Sequence, residues 1–218
     1  MSAEDLKALP VHVHRFILAL LLACASAVPA LAASSGPLGL DHRLSFDDSG
    51  LWSDSNLKAV EFGSALLVLG GALYEGNESR LGRTFWKTVD AMLLGDVSAA
   101  AGKAIFRRQR PIDGNDPDAF FRAGGNNSFP SGEMTHIAAI VTPFIMEYHK
   151  ELPSVWLLAV LPVYVGAAKL KTQAHWQTDI LAGAALGVGV GYFVSQRDSA
   201  WSAHILPAGF SVGYKKSF

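Results

Sequence analysis

Lys103, Arg107, Arg108 and Arg110 put four positive charges into eight residues with no acid among them. On a continuous helix, positions 103, 107 and 110 would share one face, and Pro111 would end it. Charges this dense at the end of an apolar helix are costly unless water or an anion meets them. Alone, the stretch reads as a solvated or interfacial basic patch. A second stretch, Ser128-Phe129-Pro130-Ser131-Gly132-Glu133, stands where a polar loop gives way to an apolar helix. Pro130 suits a first helical turn. Ser131 brings a hydroxyl, Gly132 lets a ligand approach the backbone, and the free amides of a helix start attract anions. Alone, it reads as a helix cap. In the third stretch, His175 and Asp179 are four residues apart and Lys169 ends the preceding apolar run. That spacing predicts a shared helical face. A carboxylate on one imidazole nitrogen fixes the tautomer and leaves the other nitrogen to attack. Alone, the pair reads as a structural hydrogen bond. Combined, the stretches supply cations, anion-binding amides, a nucleophile with its orienter and a carboxyl group. Those are the components of phosphoryl transfer. No metal or other cofactor is expected, because side chains supply the positive charge.

The three stretches resemble the signature of the type 2 phosphatidic acid phosphatase superfamily, which includes bacterial acid phosphatases and is related to vanadium haloperoxidases. Its pattern is K-x6-R-P, then P-S-G-H, then S-R-x5-H-x3-D. This chain has K-A-I-F-R-R-Q-R-P, P-S-G-E and A-K-L-K-T-Q-A-H-W-Q-T-D between residues 103 and 179. Order and gaps fit, with 18 residues between Pro111 and Pro130 and 34 between Glu133 and Ala168. The resemblance implies that Lys103, Arg110, Ser131, Gly132 and Lys169 bind the phosphate. It implies that His175 is the nucleophile, forming a phosphohistidine, and that Asp179 orients it. Three positions depart from the pattern. Lys169 replaces arginine and loses its bidentate fork, and Ala168 replaces serine. Glu133 stands where the family has the histidine that protonates the leaving group. A buried carboxyl group can serve as that acid, although neighbouring cations favour its charged form. Glu133 is therefore the expected acid, optimal at acid pH. Loss of leaving-group protonation and substitution by His136, one turn on, are the alternatives.

Such a site needs elements that hold its parts together. Of 218 residues, 50% are hydrophobic and 17% charged, against roughly 25% charged in ordinary soluble proteins. Disorder is excluded, and the net charge of -1 gives no reason to expect a nucleic-acid partner. The single cysteine, Cys24, excludes an intramolecular disulfide and a thiolate zinc site. Apolar stretches near 59–74, 85–106, 134–148, 155–168 and 180–194 predict an all-α bundle of five to six helices, embedded in a membrane. The short turn from His149 to Ser154 makes two of them antiparallel neighbours. The uninterrupted runs span only about 21–24 Å as helix, short of a ~30 Å hydrocarbon core. Apolar character all round, Gly183, Gly187 and Gly191 at every fourth position, and Pro143 and Pro162 inside helical stretches favour the membrane.

Residues 1–32 read as a signal peptide ending in Ala30-Leu31-Ala32 or as an uncleaved first transmembrane helix, with lipid attachment at Cys24 a weaker option. Residues 33–218 form the phosphatase-like domain. Six segments would place all three chemical stretches outside together, with Arg80, Arg83 and Lys87 inside. From Leu206, apolar residues alternate, which predicts an extended tail. The expected function is hydrolysis of phosphate monoesters or diphosphates of lipids at the periplasmic face of the inner membrane. A secreted acid phosphatase acting on small phosphate esters, and a weakly active binder of phosphorylated lipid, are the alternatives.

Overall fold

The computed structural model describes residues 36–124, 127–197, 201–206 and 209–214. The expected export segment and the last residues of the tail lie outside the described residues. Five α-helices follow one another: α1 (Asp54–Glu75), α2 (Arg80–Phe106), α3 (Gly132–Tyr148), α4 (Val160–Lys171) and α5 (Gln177–Ser195). The all-α bundle expected from the apolar pattern is present. A 3-10 turn, Pro153–Ala159, leads directly into α4. Pro162 therefore lies where the 3-10 helix passes into α4, inside the helical segment Pro153–Lys171. Pro143 lies inside α3.

All the helices but α4 are longer than their apolar stretches, because they continue through polar residues at their ends. At 22 residues, α1 is about 33 Å long. Three segments, Asp54–Glu75, Pro153–Lys171 and Gln177–Ser195, are long and apolar enough to cross a membrane. Large apolar side chains stand exposed along α1 (Phe62, Leu66, Leu67, Leu73) and α2 (Leu93, Val97, Ile105). Apolar surface on this scale calls for a cover.

The core joins Ile137, Val141 and Ile145 of α3 to Val165 and Ala168 of α4 and Val188 of α5. The glycine stripe of α5 lies against α3. A Cβ at Gly183 would come 2.5 Å from the Ser131 carbonyl oxygen, and one at Gly191 would come 2.6 Å from Thr142 Cβ. Gly189 has nothing within 4 Å. Gly183→Ala is therefore expected to destabilise by about 1–3 kcal/mol through overpacking. Gly189→Ala should stabilise by up to about 1 kcal/mol through helix propensity. Thermal denaturation of the two variants side by side measures the difference.

The tail is not a lone extended segment. Strands β1 (Trp201–Leu206) and β2 (Gly209–Tyr214) form an antiparallel hairpin, from Trp201 opposite Tyr214 to Leu206 opposite Gly209.

Candidate active site

The ends of α2 and α4 and the starts of α3 and α5 meet at one end of the bundle. Each terminus has a local cause. Arg107 takes a left-handed conformation (φ 41) and donates its N–H to the Lys103 carbonyl, closing α2. The helix thus stops before Pro111, and the expected single face of positions 103, 107 and 110 does not form. Arg107 is exposed, Arg108 fully buried, and Arg110 partly buried. At the start of α3, Ser131 is the N-cap, its hydroxyl accepting from Met134 N at 3.3 Å. The Ser131 N–H donates to the Asp179 carbonyl at 3.0 Å, tying α3 to α5. The first-turn amides of Gly132 and Glu133 stay outside the helix's own ladder. A Cβ at Gly132 would come 3.1 Å from Lys103 Cε, so this glycine makes room for the lysine stem.

His175 lies outside α5, not on its face as its spacing with Asp179 predicts. Trp176 is the extended N-cap, and its N–H donates to Asp179 Oδ2 at 2.8 Å. The chain still turns His175 toward the carboxylate, with Nδ1 3.6 Å from Asp179 Oδ2. That separation is an electrostatic contact rather than a hydrogen bond. Both residues are buried.

Glu133 bridges the site. Lys169 Nζ donates to Glu133 Oε1 at 2.9 Å, and His175 Nε2 lies 3.1 Å from Glu133 Oε2. An ionised carboxylate only accepts, so this contact places a proton on Nε2. The acid role expected of Glu133 needs it protonated, whereas both contacts favour the charged form. Lys169 Nζ also stands 3.4 Å from Oε1 of Glu61, on α1. Lys103 Nζ donates to the Asn127 carbonyl at 2.8 Å and lies within Coulombic range of Arg110, Lys169, Glu133 and Asp179. Every residue expected at the site is thus brought to one end of the bundle.

Several supporting residues escape the sequence reading. Asp179 accepts from Ser128 Oγ at 2.5 Å and from Arg108 Nη1 at 2.6 Å. Arg108 also donates to Asp41 Oδ2 (2.5 Å), Thr178 Oγ1 (2.8 Å) and the Pro117 carbonyl. Asp41 belongs to a strap over residues 41–47, which reads in sequence as a polar turn-rich leader. His42 N donates to Gln177, Arg43 to Gln173, and Asp47 N to the Lys171 carbonyl. The strap thereby clamps the α4–α5 connection that carries His175. Nothing in the residue pattern signals this, since the partners lie more than 120 positions away.

Beside these groups is a cavity of about 430 Å³. Lys103, Glu133 and His136 form part of its polar wall, and Phe62, Ala65 and Met92 form an apolar one.

Comparison with known proteins gives three findings. A family model described as the PAP2 superfamily matches residues 85–202. A lipid A 1-phosphatase of Porphyromonas gingivalis is 31% identical over an alignment of 137 positions that covers 60% of this chain and 28% of that protein. This chain therefore spans less than a third of that relative's length. The crystal structure of Aquifex aeolicus LpxE shares the fold with a TM-score of 0.51 at 19% identity, over 66% of this chain and 86% of that one.

Proposed function

This chain belongs to the PAP2 superfamily, and from that premise we propose that it hydrolyses phosphate esters of lipids through a phosphohistidine on His175. The observation that carries this reading is the convergence of Lys103, Arg110, Lys169, His175 and Asp179 beside a cavity with an apolar wall. The phosphate group sits among the three cations and the first amides of α3. The alkyl portion lies along Phe62 and Met92, next to the exposed apolar face of α1. The bundle sits in the bacterial envelope membrane, with the site on the periplasmic side. Residues 33–218 act as one catalytic domain behind an export segment or first transmembrane helix.

Asp179 is the orienter. Arg108, Ser128 and Trp176 take three of its roughly four acceptor positions, so the carboxylate is fixed and one position stays open to His175. Attack requires an unprotonated Nε2 with the remaining ring proton on Nδ1, facing Asp179. The contact between Nε2 and Glu133 opposes that state. An incoming phosphate therefore displaces the Glu133 carboxylate from both Lys169 and His175. Glu133 acts as an internal anion that competes with substrate.

Removing this competitor has a measurable consequence. Glu133→Gln is expected to tighten competitive inhibition by orthovanadate about tenfold, of the order of one charge–charge contact at a partly buried site. A steady-state inhibition series at fixed pH checks it. Unchanged or weaker inhibition contradicts the competition.

The reading itself is tested by phosphate release from detergent-purified protein with EDTA present, across pH 4–8. The panel is phosphatidate, an isoprenyl diphosphate, lipid A and an aryl phosphate. Release from a lipid substrate is the expected result. Turnover of the aryl ester alone would favour a broad acid phosphatase. No release from any of them would leave a binder of phosphorylated lipid.

A further inference from the structure

We infer that His136, held by Asp96, donates the proton to the leaving group in the reaction proposed above, on which this inference rests. Two observations support the assignment independently. His136 Nδ1 lies 3.0 Å from both oxygens of Asp96, across the interface between α3 and α2. This is a carboxylate–imidazole pair with its tautomer fixed, since Nδ1 must carry the proton to meet a carboxylate. Among the described residues, no hydrogen bond engages the remaining nitrogen, Nε2. Secondly, His136 lines the same cavity as Lys103, Gly132 and Glu133, where the substrate's leaving oxygen would lie. It stands one helical turn beyond Glu133 on the same side of α3.

The chemistry of the site leaves this role open. Glu133 is engaged by Lys169 and His175 and is needed out of the way for attack. Its contacts favour a carboxylate, which donates nothing. His136 faces Asp96 from α2, and Glu61 of α1 stands within Coulombic range of it. Lys103 and Glu133, which share its cavity, add one charge of each sign.

The steps balance. As His175 Nε2 bonds to phosphorus, the bond from phosphorus to the leaving oxygen breaks. That oxygen takes the Nε2 proton of the His136 imidazolium and departs as an alcohol. Neutral His136 then accepts a proton from water as the water oxygen attacks the phosphohistidine. The P–N bond breaks, its electron pair returns to His175, and inorganic phosphate leaves with His136 protonated again. His136 meets the reacting atoms, and Asp96 is the positioning residue.

The test exploits leaving-group basicity. An alkoxide needs protonation to leave and 4-nitrophenolate needs little, whereas a structural defect slows both esters equally. The measured quantity is kcat/KM, which reports transfer to His175, for dodecyl phosphate and 4-nitrophenyl phosphate. His136→Gln is expected to lower it about 100-fold on the alkyl ester, within the usual range for general acid catalysis, and about threefold on the aryl ester. Asp96→Asn should show the same selectivity at about a tenth of the size, and serves if the first variant fails to fold. Glu133→Gln should leave the ratio of the two esters where it is. An equal loss on both esters in the His136 and Asp96 variants overturns the inference while the phosphatase reading stands. So does selective loss of the alkyl ester in Glu133→Gln. No turnover of either ester by the unmodified protein overturns the reading and the inference together.

Discussion

Arg108→Ala is expected to destabilise the fold by about 3–5 kcal/mol, because it leaves two buried carboxylates facing each other without their cation. Arg108, Asp41 and Asp179 are at most 1% exposed. The guanidinium makes ion pairs at 2.5 Å and 2.6 Å with the two acids, bonds Thr178, and lies 4.7 Å from the centre of the Phe120 ring. Its planar fork serves several acceptors at once, so Arg108→Lys should recover only part of the loss. For a chain of this size the expected fall in Tm is about 6–20 °C, read by thermal denaturation in detergent micelles. A Tm within a degree or two of the parent would show that the network carries no stability. A double replacement, Arg108→Met with Asp41→Asn, should be milder than Arg108→Ala, since it also removes one of the stranded charges.

His175→Ala is expected to lower phosphate release by at least about 10³-fold, as loss of an activated nucleophile does in covalent catalysis. The residue is 1% exposed, so truncation could also harm folding. The two effects separate cleanly. His175 makes no hydrogen bond with Asp179, whose carboxylate keeps Arg108, Ser128 and Trp176 in the variant. The Tm should therefore move far less than in Arg108→Ala while turnover collapses. Asp179→Asn combines both defects, since it weakens the Arg108 pair and the orientation of His175. It should lose stability as well as rate.

The candidate site residues could be picked out because each belongs to a short local pattern. Lys103 with Arg110 and Pro111, Ser131 with Gly132, and His175 with Asp179 all announce themselves within a dozen positions, and all meet at one end of the bundle. Helix boundaries were less legible, because they depend on single backbone conformations. The left-handed Arg107 ends α2 early, and the extended Trp176 keeps His175 out of α5. Neither follows from apolar periodicity. The support of the site was not legible at all. Arg108 reads like its neighbours Arg107 and Arg110, yet it alone is buried, because Asp41 reaches it from 67 positions away. Asp41 itself lies in a stretch whose composition signals only turns. Glu61 is the intermediate case. A single acid within the apolar run 59–74 signals a partner inside the bundle, and the partner, Lys169, is visible only in three dimensions. The hairpin was half legible: alternation is plain from Leu206 onward, whereas Trp201, Ala203 and Ile205 alternate in the opposite parity and stand across from Tyr214, Val212 and Phe210 in the partner strand.

The most direct test of the central claim is capture of the phosphoenzyme. Purified protein is mixed with phosphatidate carrying labelled phosphate, quenched in alkali within the first turnover, and digested for peptide mapping. A phosphohistidine survives alkali and is lost in acid. Acid-labile label is expected on the peptide containing His175, and none in His175→Ala. Steady phosphate release without label on that peptide, or label retained in the His175→Ala variant, would contradict it.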